Sequence, residues 1–531
     1  MSPDYSAYTR EQLLARIKAL EEAMPGVPLH LNAPTPLISS KKAPIGAAKL
    51  VASSSKLAQS EAPPIDLKIH ARRKIAIRFS YAGDEYNGLA HQTLPTPLPT
   101  VEGALFAAMA KARLIDPAGG FEACGWERSG RTDRGVSGAG NVVSVWVRSQ
   151  LRDNPGEGAW EPPGASEDTE KSEVLQEMSE AEGTLSDDDG LGAFADLDLD
   201  AAPARTSIPD TPTHSRELRY AHMLNLILPP SIRIIAWSPV TSEFSARFST
   251  LRRHYKYFFS PRGMDLDRMC EAAAKMTGEH DWRNLCRVDA SKQLTSFRRR
   301  VFRADISKCS NLDSDLENPG VEGLYVFDLV GSGFLYNQVR HIMAVLFLVG
   351  SGLEPPSIID ALLNADASSP NPDPSVPLLE RRPEYLMADA LPLVLWDCAY
   401  KDEDVNWRSD AGIDEDDGPG AKSVHFQLSG ALERAKIHTA LDACFLAAAA
   451  RFHPPQHDGL PLASPSDVRG IGFANVLLGG GTNARVRRYV PLLERERRES
   501  VEEINRKWRE GRGKRRKGRV EDTPTADAGD E

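Results

Sequence analysis

Cysteine is scarce in this sequence, and the few cysteines are dispersed along it. Six occur among 531 residues, and none forms a C-x-x-C pair with another: Cys124, Cys270, Cys286, Cys309, Cys398 and Cys444. The absence of paired cysteines argues against a zinc module and against a disulfide framework. It is typical of a protein from a reducing compartment.

Long apolar segments are also absent. The first residues, MSPDYSAYTREQLLARIKALEEA, are polar and amphipathic and contain no apolar core of a signal peptide. The longest apolar run, IMAVLFLVG from Ile342, is far too short to cross a bilayer. The sequence therefore predicts a protein without a membrane partner, located in the nucleus or the cytoplasm.

The net charge of −11 hides a basic remainder, because the acidic residues are concentrated in two stretches. Residues 153–200 hold sixteen acids and one base, and residues 402–417 hold eight acids and one base. Without these stretches the chain carries a net charge of +11. A basic remainder suits a polyanionic partner, although a large protein can also segregate charge without one.

Composition and periodicity divide the chain into five segments: 1–69 as an N-terminal helix and flexible linker, 70–242 and 243–400 as two subdomains, 401–422 as an acidic loop, and 423–531 as an extension with a basic tail. Residues 153–214, inside the first subdomain, are acidic and poor in aromatics, which predicts a disordered insertion. A strand–helix–strand–strand order recurs loosely in both subdomains. The predicted fold class is therefore α+β with antiparallel sheets.

Several stretches have a clear periodicity. KIAIRFSY from Lys74 and GNVVSVWVRS from Gly140 alternate as strands do, and TVEGALFAAMAKARLI predicts a helix capped by Thr100. FLYNQVRHIMAVLFLVG predicts a helix from Phe334 onward, and its apolar composition predicts that it is buried on most sides.

A single carboxylate, Asp133, stands between two arginines in the stretch GRTDRGV. Glycines at 130 and 135 allow tight backbone angles and the close approach of a ligand. A carboxylate at such a loop tip can act as a nucleophile or a proton acceptor, and flanking cations keep it ionised. The alternative is a solvent-exposed turn with surface arginines, which could have the same sequence.

Basic residues and aromatic residues are interleaved in FSARFSTLRRHYKYFF, from Phe244 to Phe259. Cations contact phosphates and aromatic rings stack on unpaired bases, so this pattern favours binding of single-stranded or extruded nucleotides. On a strand, Tyr255 and Tyr257 share one face and Lys256 lies on the other. The alternative is an amphipathic strand whose aromatic face belongs to the core.

Arg340 lies in the apolar helical stretch that follows GSGFLYNQV. A buried guanidinium is costly without a partner, so it predicts a nearby buried carboxylate. The alternative is that its long side chain extends to solvent.

Together these stretches closely resemble the TruA-type tRNA pseudouridine synthases, over roughly 70–300 and 323–400 less the acidic insertion. The resemblance extends to KIAIRFSYAGDEYNGLAHQ, GEHDWRNLCRVDASKQ and YLMADALPLVLWDC. It implies the pseudouridine synthase fold, with two antiparallel-sheet subdomains flanking a basic RNA-binding cleft. EQLLARIKALE, RNLCRVDASKQLTSFRRR and YVPLLERERRESVEE are similar to the eukaryotic branch that modifies tRNA positions 38 and 39.

The resemblance assigns roles to individual residues. Asp133 matches the catalytic aspartate, Arg131 the arginine that helps to extrude the base, Tyr255 the tyrosine that packs on the target uracil, and Arg340 the partner of the aspartate. Further RNA contacts are expected at Arg134, Arg247, Arg252 and Phe334. The resemblance also implies a tRNA substrate, no metal or organic cofactor, and a homodimer.

The chemistry expected from the resemblance is isomerisation of uridine in the anticodon stem–loop. Asp133 would either attack C1′ of the ribose or remove a C2′ proton, and both alternatives stay open on the sequence. Two other functions also stay open: a non-catalytic RNA-binding protein with the same fold, and an N-glycosidase that releases the base.

Overall fold

The computed structural model describes residues 70–150, 217–309, 323–409, 423–453, 474–486 and 488–521, and for 512–521 the backbone alone. These residues belong to one compact unit, Leu57–Glu531. The predicted N-terminal helix, the whole acidic insertion (153–214) and residues 410–422 of the acidic loop lie outside the described residues.

Four strands form the N-terminal half of the sheet: β1 (Arg72–Tyr81), β2 (Glu127–Arg128), β3 (Ser137–Arg148) and β4 (Ile232–Pro239). β1 lies between β4 and β3, β2 pairs with β3, and all these pairings are antiparallel. The strands predicted in KIAIRFSY and GNVVSVWVRS are thus confirmed as β1 and β3.

Three helices accompany this half: α1 (Val101–Lys111), α2 (Gly120–Ala123) and α3 (Tyr220–Ile227). The predicted cap of α1 is confirmed, because the Thr100 side chain accepts a hydrogen bond from the Gly103 amide. Apolar residues of α1 and α3 pack on β1, β3 and β4 and form one buried cluster with them.

The C-terminal half contains β5 (Arg252–Phe259), β6 (Gly278–Asp281), β7 (Arg298–Lys308), β8 (Tyr325–Gly331) and β9 (Leu393–Ala399). Their order is β9–β5–β8–β7–β6, and all these pairings are antiparallel. This half also conforms to the predicted antiparallel type.

A short parallel pairing of β3 and β9 joins the two halves into one nine-stranded mixed sheet. Ser137 pairs with Val394 and Gly138 with Leu395, at the start of β3. This seam lies directly after the GRTDRGV turn, so it fixes the turn against the C-terminal half. The mixed sheet with its helices confirms the α+β class.

The helices of the C-terminal half are α4 (Leu266–Ala274), α5 (Gln338–Gly350) and α6 (Ile358–Leu363). Every residue of α5 except Arg340 is buried, which confirms the predicted burial of this helix. The predicted start at Phe334 is wrong: α5 begins at Gln338, because the preceding Asn337 has a left-handed backbone with φ 60°.

The extension after residue 422 contains α7 (Val424–Ala450), a hairpin of β10 (Ala474–Gly479) and β11 (Thr482–Val486), and α8 (Val501–Glu521). α7 has no buried residue. None of the described helices is long and apolar enough to cross a membrane.

Part of this extension belongs to the core of the C-terminal half. Tyr489 and Leu492 are 5% and 0% exposed and join the same apolar cluster as α5. Both are tied to the buried Glu354, whose Oε1 accepts hydrogen bonds from the Tyr489 hydroxyl at 2.5 Å and the Leu492 amide at 2.7 Å.

Tyr489→Phe is expected to destabilise the protein by about 1–3 kcal/mol, because it removes a donor from a buried carboxylate. Burial raises the pKa of Glu354 above its usual value, so this carboxyl becomes neutral as the pH falls through that raised pKa. The loss of stability should therefore shrink at lower pH. Thermal melting at two pH values measures both effects.

Tyr325→Phe is the matched control, since the Tyr325 hydroxyl makes no hydrogen bond within the described part of the chain. Its melting temperature should stay near that of the wild type. Equal melting temperatures for both variants would show that the Glu354 contact does not hold the extension.

The residues that flank segment 151–216 lie next to each other in the fold. Glu217 accepts hydrogen bonds from the Ser149 hydroxyl at 2.7 Å and from the Gln150 amide at 2.9 Å. It also pairs with Arg73 of β1 at 3.1 Å. The described residues on either side of 151–216 are therefore hydrogen-bonded to each other.

Deleting residues 153–214 is expected to leave folding and activity largely unchanged. The flanking residues already lie within hydrogen-bonding distance, and loop closure depends weakly on length, at about 0.6 kcal/mol per doubling. Removing this acidic stretch should tighten non-specific RNA binding at low salt. Melting temperature and single-turnover rate, each compared with the full chain, test the expectation; a folded but inactive deletion protein would refute it.

Candidate active site

The GRTDRGV turn is a tight connection between β2 and β3. The Val136 amide donates to the Asp133 carbonyl at 3.1 Å, and Gly135 has φ 83°, a conformation that favours glycine. Gly130 does not have a positive φ, so of the two glycines expected to allow tight backbone angles only Gly135 adopts an angle that favours glycine. The Thr132 hydroxyl is hydrogen-bonded to the buried Tyr81 hydroxyl at 2.7 Å, which anchors the turn to β1.

Gly88 supports the turn from the other side. Its φ is 90°, and a Cβ at this position would lie 2.8 Å from the Thr132 carbonyl oxygen. The neighbouring Leu89 amide donates to the same oxygen at 3.3 Å. The YNGLA stretch therefore packs directly against the backbone that carries Asp133.

The structure brings Arg340 of α5 to Asp133. Arg340 Nη1 lies 3.7 Å from Asp133 Oδ2, and the two side chains are 15% and 27% exposed. Arg340 Nε donates to the Ala388 carbonyl at 2.9 Å, so the guanidinium is held in place and does not extend into solvent. Residues that are far apart in the sequence thus form a partly buried ion pair.

Asn337 also contacts the carboxylate. With its amide oriented so that the nitrogen faces Asp133, that nitrogen donates to Oδ1 at 3.2 Å and more closely to Oδ2. Asn337 is the residue immediately before α5, and its side chain makes no capping bond to the helix.

Burial and nearby cations oppose each other at Asp133. Burial is the larger effect and raises the pKa of this carboxyl above its usual value, while Arg340 and Arg287 act to lower it. The neighbouring His341 is a weak base, since burial and Arg382 lower its pKa to about 3. Asp133 is therefore the stronger candidate for a proton acceptor or nucleophile at this place.

Two aromatic rings lie beside the pair. Tyr255 of β5 is 8% exposed, and its ring meets Phe334 edge to face with the centroids 5.0 Å apart. Burial, together with the nearby Asp133 charge, raises the pKa of the Tyr255 hydroxyl, so the phenol stays neutral. A flat, uncharged ring next to a carboxylate offers a surface for a planar heterocycle.

The other predicted RNA contacts lie at the surface. Arg131 and Arg134 are exposed on the turn, and Arg252 is exposed at the start of β5. Arg247 is exposed and its guanidinium lies 4.9 Å from the centre of the Phe248 ring. None of these four belongs to the partly buried Asp133–Arg340 pair.

Two basic residues of the FSARFSTLRRHYKYFF stretch make contacts within the protein. Lys256 is 4% exposed, lies over Trp396 at 4.3 Å and faces the buried Asp328. The Arg253 side chain donates to the Ser129 carbonyl at 2.6 Å and so braces the strand before the turn. Burial and internal contacts thus occupy the charge of Lys256, and hydrogen bonds to the backbone occupy that of Arg253.

Sequence reasoning missed Arg287 and Asn337 as parts of this site. Arg287 lies in RNLCRVD, and its guanidinium is 5.7 Å from the centre of the Tyr336 ring. Its amide donates to the Tyr336 carbonyl at 2.9 Å, which holds it next to α5. Both stretches were part of the resemblance, but only the fold shows that Asn337 contacts Asp133 and that the charge of Arg287 acts on it.

The part of the chain that the structure describes contains no group of three or more His, Cys, Asp or Glu side chains placed to hold a metal. The functional groups present are one carboxylate, two cations near it, an amide donor and two aromatic rings. Such a set can stabilise an anion, bind a planar base, and supply a nucleophile or proton acceptor.

Comparison with known proteins relates both halves of this site to one family. The sequence profile of the tRNA pseudouridine synthase family matches residues 272–401, which include Arg340 but not Asp133. The chain is 33% identical over 506 residues to the tRNA pseudouridine(38/39) synthase of Saccharomyces cerevisiae, covering 95% of this chain and 91% of that protein.

Two further relatives agree with this result. The human tRNA pseudouridine(38/39) synthase is 36% identical over 350 residues, which cover 66% of this chain and 60% of the human protein. The tRNA pseudouridine synthase A of Methanothrix thermoacetophila is 28% identical over 339 residues, which cover 64% of this chain and 86% of that protein. The resemblance seen in separate motifs thus extends over nearly the whole chain, which belongs to the tRNA pseudouridine synthase family.

Proposed function

We propose that this protein converts uridine to pseudouridine in tRNA, at positions 38 and 39 of the anticodon stem–loop. Asp133 is the catalytic carboxylate, Arg340 its charge partner, and Tyr255 the ring that packs on the target uracil. Arg131 assists extrusion of the base from its stack. The observation that carries this proposal is the pairing of Asp133 with Arg340 beside Tyr255, in a chain that matches a tRNA pseudouridine(38/39) synthase over 95% of its length.

The reaction is an isomerisation that needs no additional reactant. The bond between ribose C1′ and uracil N1 breaks, the base turns, and a bond forms between C1′ and C5. The proton on C5 is lost and N1 gains one, so atoms and electrons balance. Asp133 must be ionised in either route, because only the carboxylate can attack C1′ or accept a C2′ proton.

The uridine must leave its stack before it can reach a carboxylate that is only 27% exposed. Extrusion of a base costs a few kcal/mol. Stacking on an aromatic ring recovers about 1–3 kcal/mol per base, and the edge-to-face contact with Phe334 holds the Tyr255 ring in one orientation. The aromatic pair therefore favours the extruded state.

Exposed arginines supply the attraction to the RNA backbone. Arg131, Arg134, Arg247 and Arg252 are exposed near the site, and each phosphate contact makes binding more sensitive to salt. Phosphate contacts position the RNA without reading its sequence. The choice of target uridine then depends on the shape of the stem–loop.

The test uses unmodified tRNA transcripts that contain uridine at position 38 or 39, or at neither. After incubation, the nucleosides and any free base are separated and the modified position is mapped. Pseudouridine at 38 or 39, absent from the transcripts that lack uridine there, is expected. Pseudouridine at other positions alone would contradict the proposed target.

The same assay separates the two rival functions. An N-glycosidase would release free uracil and leave an abasic site, and a non-catalytic RNA-binding protein would yield unchanged tRNA with measurable binding. The partly buried Asp133–Arg340 pair favours an enzyme, since a surface that only binds RNA has no need for a desolvated carboxylate.

A further inference from the structure

Asn337 has a strained position that helix formation alone does not explain. It is one of three non-glycine residues with positive φ among those described, with φ 60° and ψ 12°. Such conformations persist where surrounding contacts enforce them, often at functional sites. We propose that Asn337 is a positioning residue for the reaction, which holds the Asp133 carboxylate in its orientation and keeps it ionised; this rests on the proposed function.

The Asn337 side chain does not perform the usual task of an asparagine at a helix start. Asparagine is preferred there because its side-chain oxygen accepts from a helix amide, yet Asn337 makes no such bond. The Asn337 side chain instead faces Asp133, to which its amide nitrogen donates.

Asn337 and Arg340 contribute different interactions to the same carboxylate. Arg340 Nη1 is 3.7 Å from Oδ2, which is an ion pair but too long for a hydrogen bond, and its Nε is bonded to Ala388. The Asn337 amide nitrogen is 3.2 Å from Oδ1 and closer to Oδ2. Arg340 therefore supplies charge, whereas Asn337 supplies the directional contact.

These groups act together on the protonation of Asp133. The charged or titratable side chains that face it are Arg340 from α5, Arg287 from the loop after β6, and Tyr255 from β5. Hydrogen bonds to a carboxylate favour its charged form, so the amide opposes the effect of burial. Loss of the amide should make Asp133 harder to ionise and free to rotate.

Asn337→Asp is the most informative variant. It has the same shape, and aspartate also tolerates the left-handed backbone, but it replaces a donor with a second carboxylate. We expect the single-turnover rate with saturating enzyme to fall by about 100-fold or more, as for small errors in catalytic geometry. The acid limb of the pH–rate profile should move to higher pH, because two neighbouring carboxylates resist ionisation.

Asn337→Gly distinguishes the role of the side-chain amide from that of the left-handed backbone conformation. Glycine adopts the left-handed conformation without strain, so the fold should be kept. The rate should fall less than in Asn337→Asp, because the donor is lost but no charge is added. Binding of tRNA should be unchanged in both variants, so that the loss appears in the rate and not in affinity. If Asn337→Asp proves unfolded by melting, Asn337→Gly carries the test alone.

Arg113→Gly is the matched control. Arg113 has φ 56° and is exposed, and it lies after α1 in the other half of the sheet. Glycine relieves the same kind of strain there, and the rate and pH profile should not change.

Three results decide the matter. The positioning role is supported if the rate falls from wild type to Asn337→Gly and further to Asn337→Asp, and if the acid limb of the pH–rate profile moves to higher pH. Rates within about twofold of wild type and an unchanged pH profile would overturn it, since a purely structural asparagine tolerates an isosteric aspartate. Absence of pseudouridine with the wild type would instead count against the proposed function, so the two failures are distinguishable.

Discussion

Asp133→Asn is expected to abolish pseudouridine formation while leaving tRNA binding nearly intact. The amide has the same shape as the carboxylate but is neither nucleophilic nor basic, so the reaction loses its central group in either route. Contacts of the exposed arginines with the RNA are unaffected. Single-turnover pseudouridine formation and a filter-binding isotherm, measured on the same preparation, test the two parts.

The control for this variant is Asp305→Asn on β7. Asp305 is 66% exposed and pairs only loosely with Arg303, at 3.5 Å. The activity of the Asp305→Asn variant should equal that of the wild type. Activity of Asp133→Asn within tenfold of wild type would show that the turn carries no catalytic carboxylate.

Arg340→Met is expected to have the next largest effect, with loss of activity that is greatest at low pH. Arg340 lowers the pKa of Asp133, which burial already holds above its usual value. Without the cation that pKa rises further, so more of the enzyme is protonated at a given pH. The acid limb of the pH–rate profile should therefore move to higher pH.

The same substitution should reduce stability at neutral pH. Removing one partner of a fully buried pair costs about 3–5 kcal/mol, and less is expected here because the Asp133 side chain is 27% exposed. The deficit should shrink as the pH falls, since a neutral Asp133 needs no cation. Arg340→Lys keeps the charge and should shift the profile less. A pH profile identical to that of the wild type would contradict the pairing.

Much of the fold could be predicted because local patterns agree with the final structure. The alternation in β1 and β3 and the cap at Thr100 lead directly to the observed elements. The start of α5 could not be predicted, because the sequence is helix-compatible back to Phe334, whereas Asn337 has a left-handed backbone and its side chain makes a long-range contact with Asp133. The parallel seam of β3 and β9 likewise depends on few, long-range hydrogen bonds.

Some residues of the site could be predicted from local sequence patterns, but their contact could not. A carboxylate among arginines and an arginine in an apolar helix are each unusual in the sequence, so Asp133 and Arg340 attract attention. Their contact depends on the seam, which no local pattern encodes. The burial of Lys256 could not be predicted either, because lysine is normally exposed, whereas Trp396 and Asp328 cover it here.

The most direct measurement follows one labelled uridine through a single turnover. A tRNA that carries carbon-14 in the uracil ring at position 38 or 39 alone is mixed with excess enzyme, and the label is recovered after digestion to nucleosides. Wild-type protein should place the label in pseudouridine, and Asp133→Asn should leave it in uridine although the tRNA is bound. Label in free uracil, or in uridine with the wild type, would contradict an isomerase whose catalytic group is Asp133.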